Sequence, residues 1–189
     1  MNYLFHLYLA EDSQESLVGN MLGDFVKGRL DERYPPAIAR GIVRHRQVDA
    51  FAQDNATFRR SKRRIDDSYR HYKAVLVDVF YDHFLAKQWA SYSPLPLPDF
   101  SQRAYQALQA HYPLLPERLQ QMLPRMIAVD WLTSYRDLEN IGIALERMAT
   151  RLSRPNPLGR GVEELVKHYG GLEEDFQEFM VEVETYLRG

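Results

Sequence analysis

Cysteine is absent from the 189 residues, which excludes disulfides and thiolate ligands. A metal held by this chain would have to be bound by carboxylates, imidazoles and water, a donor set that suits a hard or borderline divalent ion. Long apolar runs are missing too. None approaches the roughly 18 residues needed to span a bilayer. The N-terminal stretch MNYLFHLYLAEDSQES is apolar for only about eight residues, and it lacks both the basic region and the small-residue cleavage site of a signal peptide. A soluble cytoplasmic protein with no membrane partner is the expectation. The formal net charge is −2, which argues against a dedicated nucleic-acid binder. Alternating runs of β-branched residues, the mark of strands, are scarce.

Apolar residues instead recur at spacings of three and four along most of the chain. This pattern predicts an all-α protein, and the length and 45% hydrophobic content suit a single compact helical domain over residues 1–189. A short apolar segment covers about residues 2–10, and Ser13 or Ser16 is placed to cap a helix running to Gly28. Pro35 and Pro36 suit the first turn of the next helix, ending near Gln53. A basic helix near 56–67 and a long helix near 68–91 follow, the latter stopped by SPLPLPD. Further helices are expected near 99–111, 116–128, 134–153, 159–169 and 171–187.

Charge is unevenly placed. RRSKRR at 59–64 is almost wholly basic, whereas the C-terminal segment carries Glu163, Glu164, Glu173, Glu174, Asp175, Glu178, Glu182 and Glu184. Polar residues also interrupt apolar helical faces. At about 100° per residue, Asp24 shares a stripe with Leu17 and Met21, and His45 and Asp49 share one with Ile38 and Ile42. Asp78 and Asp82 lie in the same sector as Val75, Leu85 and Trp89. A lone carboxylate on a buried face is costly unless paired, hydrogen-bonded or bound to a cation. Any one of these aspartates could be the partner of an arginine or a helix N-terminus; their recurrence in three successive helices points to a shared metal. His6, within FHLYL, is either a further ligand of that centre or a hydrogen-bonded core histidine. His111 and His168 fall near helix C-termini, where an imidazolium is electrostatically comfortable.

The segments HLYLA at 6–10, GNMLGDFVKG at 19–28, GIVRHRQVDAF at 41–51 and VDVFYDHFLAKQW at 77–89 resemble, in order and spacing, the sequence blocks of bacterial acyl carrier protein phosphodiesterases. The resemblance covers most of the first 90 residues. It implies hydrolysis of holo-acyl carrier protein to the apo-protein and 4'-phosphopantetheine with a divalent ion, manganese first and magnesium as the alternative. It also implies a helical fold related to the HD phosphohydrolases in permuted order. Two departures stand out: Tyr8 occupies a position where the family block commonly has histidine, and no His-Asp dipeptide occurs, the nearest being Asp82-His83 in reverse.

Phosphodiester hydrolysis needs a cation to neutralise the phosphate oxygens and to lower the pKa of the attacking water. The pool of residues for that centre is Asp24, His45, Asp49, Asp78, Asp82 and His83, with His6 in addition. Some would bind directly and others orient ligands or move protons. His83 is the candidate general acid for the departing serine oxygen, and Lys27 or Arg46 the candidate holder of a phosphate oxygen. Acyl carrier proteins are strongly acidic around the modified serine, so Arg59, Arg60, Lys62, Arg63 and Arg64 would bind that substrate. An HD-like nucleotide phosphohydrolase and a non-enzymatic helical binding module are the competing readings.

Overall fold

Ser13 marks the first clear helix start: it has extended backbone geometry and its hydroxyl accepts from the Ser16 amide, satisfying one of the orphan donors of the first turn. The computed structural model describes residues 1–30 and 32–189. Among them no strand occurs, so the all-α reading holds. The α-helices in chain order are α1 (Tyr3–Tyr8), α2 (Gln14–Leu22), α3 (Pro36–Asp54), α4 (Ala56–Arg64), α5 (Lys73–Lys87), α6 (Leu97–Ala110), α7 (Glu117–Ala128), α8 (Trp131–Ser134), α9 (Leu138–Thr150), α10 (Gly161–Lys167) and α11 (Tyr169–Arg188). Short 3-10 segments lie between several of them.

Two sequence expectations about helix extent are corrected. The helix expected to run to Gly28 stops at Leu22, with Gly23 as its C-cap, so Asp24 lies in the turn beyond it and not on a helical face. The long helix expected over 68–91 is divided at both ends. Arg70 has φ 46° and ψ −122°, a conformation no α-helix admits, and α5 begins only at Lys73. At the other end Gln88, with φ −100° and ψ 15°, separates α5 from a 3-10 turn at Trp89–Ser91.

Contacts divide the chain into two compact units that interleave in sequence. The first comprises residues 1–2, 51–87 and 135–189, and the second residues 3–50 and 88–134. In the first, α4 and α5 pack against α11 around the rings of Phe58, Tyr81, Phe176 and Phe179, with Tyr81 and Phe179 centroids 5.4 Å apart. Burying large aromatic faces at such separations contributes to the drive to fold here. In the second, α2 packs against α1 and α6, and the crossing of α2 with α3 brings Gly19 and Gly41 into backbone contact. A Cβ on Gly41 would stand 2.9 Å from the Gly19 Cα and 2.9 Å from the Ser16 carbonyl. Only glycine permits so close an approach, and the crossing sets where the polar residues of α3 fall.

Candidate metal centre

His45 and Asp49 are one turn apart on α3, so both side chains leave the helix in the same direction. His6, on α1, meets them. Its ring lies nearly parallel to that of His45, with centroids 3.5 Å apart and planes at 17°. The Asp49 carboxylate addresses both imidazoles: Oδ1 is 3.1 Å from His6 Nε2 and Oδ2 is 3.2 Å from His45 Nε2. One ligand atom from each of the three lies within 4.8 Å of the others.

The protonation pattern sharpens this geometry. His45 Nδ1 is 2.8 Å from the carbonyl oxygen of Asn20, and a carbonyl only accepts, so Nδ1 carries the hydrogen. In the neutral ring Nε2 is then a bare lone pair, yet it faces Asp49 and also Asp24 Oδ1 at 3.7 Å. Acceptors facing one another require a proton or a cation among them. His6 is buried at 1% exposure; its Nδ1 has no hydrogen-bond partner among the described residues, and its Nε2 faces the Asp49 carboxylate. Burial pushes its pKa down to about 3, so the ring is neutral near pH 7. For Asp49, burial works to raise the carboxyl, but the two histidines outweigh it and hold the group well below the usual carboxylate range. Burial raises the Asp24 carboxyl, with His45 opposing the shift.

Two buried imidazoles stacked face to face on one carboxylate, one of them with its Nδ1 unsatisfied, call for an explanation. A divalent cation fits these residues: two imidazoles and one ionised carboxylate, with one ligand atom from each within 4.8 Å of the others, are a donor set it accepts. The hydrogen bond from His45 Nδ1 to Asn20 is the kind of outer contact that fixes a ligand's tautomer and ring orientation. Gly23 completes the support, because a Cβ there would overlap the Cβ, Cγ and Cδ2 atoms of His45.

Residues 1–183 match the family described as acyl carrier protein phosphodiesterase. The chain belongs to that family. Relatives called acyl carrier protein phosphodiesterase include one from Serratia proteamaculans (strain 568), 37% identical over 180 residues, and one from Yersinia pestis, 36% identical over 180 residues. A third, from Escherichia coli O6:H1 (strain CFT073), is 34% identical over the same length. Each alignment covers 95% of this chain and 93% of the relative. No solved structure matches.

The residues of this acyl carrier protein phosphodiesterase family member that the sequence singled out fall into distinct settings. His6, His45 and Asp49 form the metal-spaced group, and Asp24 stands beside His45. Asp78 lies 3.4 Å from the N-terminal amine, and the fully buried Asp82 accepts from Asn2 Nδ2 at 2.9 Å. His83 has both ring nitrogens engaged, Nδ1 with the Tyr135 carbonyl and Nε2 with the Tyr169 hydroxyl, each at 2.9 Å. Because Nδ1 must donate to the carbonyl, Nε2 accepts from the phenol. Burial lowers the affinity of His83 for a proton.

Arg46 donates to the Val26 carbonyl at 2.9 Å and ties the turn after α2 to α3. Lys27 is exposed in that turn, and its charge favours the ionised form of Asp24. Tyr8, at the position where the family block commonly has histidine, packs edge-on against Trp89 and Tyr92. Asn20 and Gly23 carried no chemical signal in the sequence. One acts through its backbone carbonyl and the other through a missing Cβ, and neither property is visible in a residue type.

Proposed function

We propose that this chain hydrolyses holo-acyl carrier protein to apo-acyl carrier protein and 4'-phosphopantetheine, at a divalent cation held by His6, His45 and Asp49 with Asp24 beside them. The observation that carries this reading is the pair of stacked, buried imidazoles that both turn Nε2 to one ionised carboxylate. Family membership supplies the substrate. Manganese is the proposed metal and magnesium the alternative, since imidazole nitrogen suits manganese better than magnesium. The permuted relation to HD phosphohydrolases and a cytoplasmic location belong to the same proposal.

The cation would supply positive charge to the phosphate oxygens and lower the pKa of the attacking water. His45 holds its Nε2 in place through the Asn20 carbonyl, and Asp49 fixes both rings relative to each other. Asp24, its pKa raised by burial, is the group in the site suited to take the proton from water as the new bond to phosphorus forms. The phosphorus–oxygen bond to the serine then breaks, and the serine oxygen takes a proton from solvent and leaves as the hydroxyl of the apo-protein. Lys27 is the proposed contact to a phosphate oxygen. Asp78, Asp82 and His83 remain proposed members of the catalytic apparatus, in supporting positions.

The test is the mass of purified holo-acyl carrier protein after incubation with the enzyme and manganese. Loss of the phosphopantetheine moiety, dependent on added metal, is the expected result. Release of phosphate from nucleotides with no change in the carrier protein would replace this reading with that of a nucleotide phosphohydrolase. A well-folded protein that binds no metal and changes neither substrate would point to a binding module.

A further inference from the structure

The basic run of α4 does not act as one patch. Helical spacing places Arg60 and Arg64 on one face, and the acidic helix α11 neutralises it. Asp175, fully buried, accepts from Arg60 Nε at 2.6 Å, Arg64 Nε at 2.7 Å and Ser61 Oγ at 2.9 Å, while Arg60 also reaches Glu178 at 2.6 Å. Arg59, Lys62 and Arg63 leave the helix on the other side. With Arg70, His71, Lys73 and Ala74 they line an open cavity of about 390 Å³.

No carboxylate is among the residues lining it. The cations there are only lightly compensated: Lys62 lies 5.4 Å from the Phe58 ring centroid and Lys73 pairs with Asp67 at the rim. Arg59, Arg63 and Arg70 are exposed.

Arg70 supplies an independent observation. Its φ of 46° with ψ −122° is close to the first central position of a type II′ turn, where glycine sits without strain and a side chain does not. Backbone strain of this kind persists where surrounding structure enforces it, and it concentrates at functional positions. Here the strained residue is an arginine, and it lines the cavity. Glycine would serve the turn better, so what the arginine contributes is its guanidinium.

We infer that Arg59, Lys62, Arg63, Arg70 and Lys73 form a docking surface for an acidic protein face, and that Arg60 and Arg64 belong to the fold instead. The inference rests on the proposed substrate, whose surface beside the modified serine is acidic. Opposite charges across an interface steer encounter and fix register even when no single pair is strong. A nucleic acid is the less suitable partner, since no Phe, Tyr or Trp is among the lining residues and His71 is the one ring they offer a base, and the chain as a whole carries a net charge of −2.

The experiment compares three variants of the full chain with wild type. In Arg59→Gln/Lys62→Gln/Arg63→Gln, kcat/KM for holo-acyl carrier protein should fall at least tenfold relative to that for bis(p-nitrophenyl) phosphate, through KM. Raising salt from low to physiological strength should weaken wild type on the protein substrate more than this variant, because the charges it screens are already gone. Arg60→Gln/Arg64→Gln should lower the melting temperature and leave that substrate ratio within twofold. Arg70→Gly should relieve backbone strain and raise the melting temperature, yet still raise KM for the protein substrate; a purely structural arginine would not produce that combination.

Equal losses on both substrates, or no change in the protein-to-diester ratio in the triple variant, would overturn the inference. Direct binding of apo-acyl carrier protein, read by fluorescence anisotropy, separates this from the functional reading. If wild type binds the apo-protein tenfold tighter than the triple variant while turning nothing over, the docking surface stands and the activity falls. If the two bind equally, or if inorganic pyrophosphate or an RNA oligomer occupies the cavity without displacing the carrier protein, the docking surface falls.

Discussion

Asp49 reaches one carboxylate oxygen to His6 and the other to His45, at 3.1 and 3.2 Å, and so holds two parallel imidazoles at a separation where two imidazolium ions would repel. The arrangement is satisfied by a cation that shares their lone pairs. Removing either anchor should empty the centre without opening a large void, because both side chains are modest in size and Asp49 is partly exposed. His45→Ala and Asp49→Ala are therefore expected to lower turnover of holo-acyl carrier protein more than about 100-fold, beyond the loss typical of a supporting residue. Manganese binding by calorimetry should disappear while circular dichroism stays helical. Near-wild-type metal affinity in both variants would contradict the centre.

Gly23 tests the support of the same ring. Its backbone is ordinary helical geometry, φ −53° and ψ −35°, so alanine there would gain roughly 1 kcal/mol of local helix preference. The added Cβ nonetheless overlaps His45, and overpacking costs about 1–3 kcal/mol. The overlap, with His45 Cγ and with its Cβ at 2.6 Å, outweighs the helix preference, for a net loss of about 1–2 kcal/mol. Gly23→Ala should melt several degrees below wild type and bind manganese at least tenfold more weakly. A large loss of stability with intact metal affinity would show that the ring moves aside freely.

Much of this centre could be read from the sequence, because an i,i+4 pair of ligand-type residues on an otherwise apolar face is a periodicity signal. That pairs His45 with Asp49, and the structure sets their side chains 3.2 Å apart. Asp24 was found for an incomplete reason: its stripe on α2 does not exist, since the helix ends at Leu22, yet the turn after Gly23 still brings it to 3.7 Å from His45. The interruption at Arg70 was invisible, because a run of polar and apolar residues at helical spacing says nothing about one φ angle. The division of RRSKRR was hidden for a different reason. Which arginines are neutralised depends on Asp175 and Glu178, more than a hundred residues later in the chain, and single-helix periodicity carries no information about that partner.

Asp175 provides a stability prediction with a defined sign. Burial alone would raise its pKa, but hydrogen bonds from Arg64, Arg60 and Ser61 outweigh this and hold it below the usual range. A depressed carboxylate contributes stability fully present above its unfolded pKa of about 3.9, and lost as pH falls through the folded value. Asp175→Asn removes the charge that two arginines share. It should cost roughly 2–3 kcal/mol at pH 7, toward the low end for a broken buried pair because both arginines are partly hydrated. Its denaturant midpoint should also depend less on pH below 4 than that of wild type. An unchanged midpoint at pH 7 would place the arginines' stabilising contacts elsewhere.

His83 separates a structural from a catalytic histidine. With Nδ1 donating to the Tyr135 carbonyl and Nε2 accepting from Tyr169, substitution by glutamine should cost about 2 kcal/mol for two hydrogen bonds. The folded pKa of His83 is lowered by burial, so the unfolded chain takes up the proton first and stability falls as pH drops below about 6.5. The variant should therefore lose less stability than wild type between pH 7.5 and 5.5, and lose kcat/KM by about 10–100-fold, the range of a residue that orients others. A loss of several hundredfold in kcat, with the alkaline limb of the pH–rate profile abolished, would restore His83 to the role of general acid.

The cation itself should be visible in the melting temperature. A ligand that binds only the folded state stabilises it by RT ln(1 + [L]/Kd), about 2.7 kcal/mol at a hundredfold excess over Kd. For a chain of this length each kcal/mol corresponds to about 2–4 °C, so saturating manganese should raise the midpoint by about 5–10 °C over chelator-treated protein. Magnesium at equal concentration should give a smaller shift, because two of the three donors in the metal-spaced group are imidazole nitrogens and magnesium prefers oxygen. His45→Ala should abolish the manganese shift, since the ligand and its tether to Asn20 are lost together. The charge change in Arg60→Gln/Arg64→Gln should leave the shift intact although its baseline midpoint is lower. A manganese shift of equal size in His45→Ala and wild type would mean that the ion binds elsewhere on the chain.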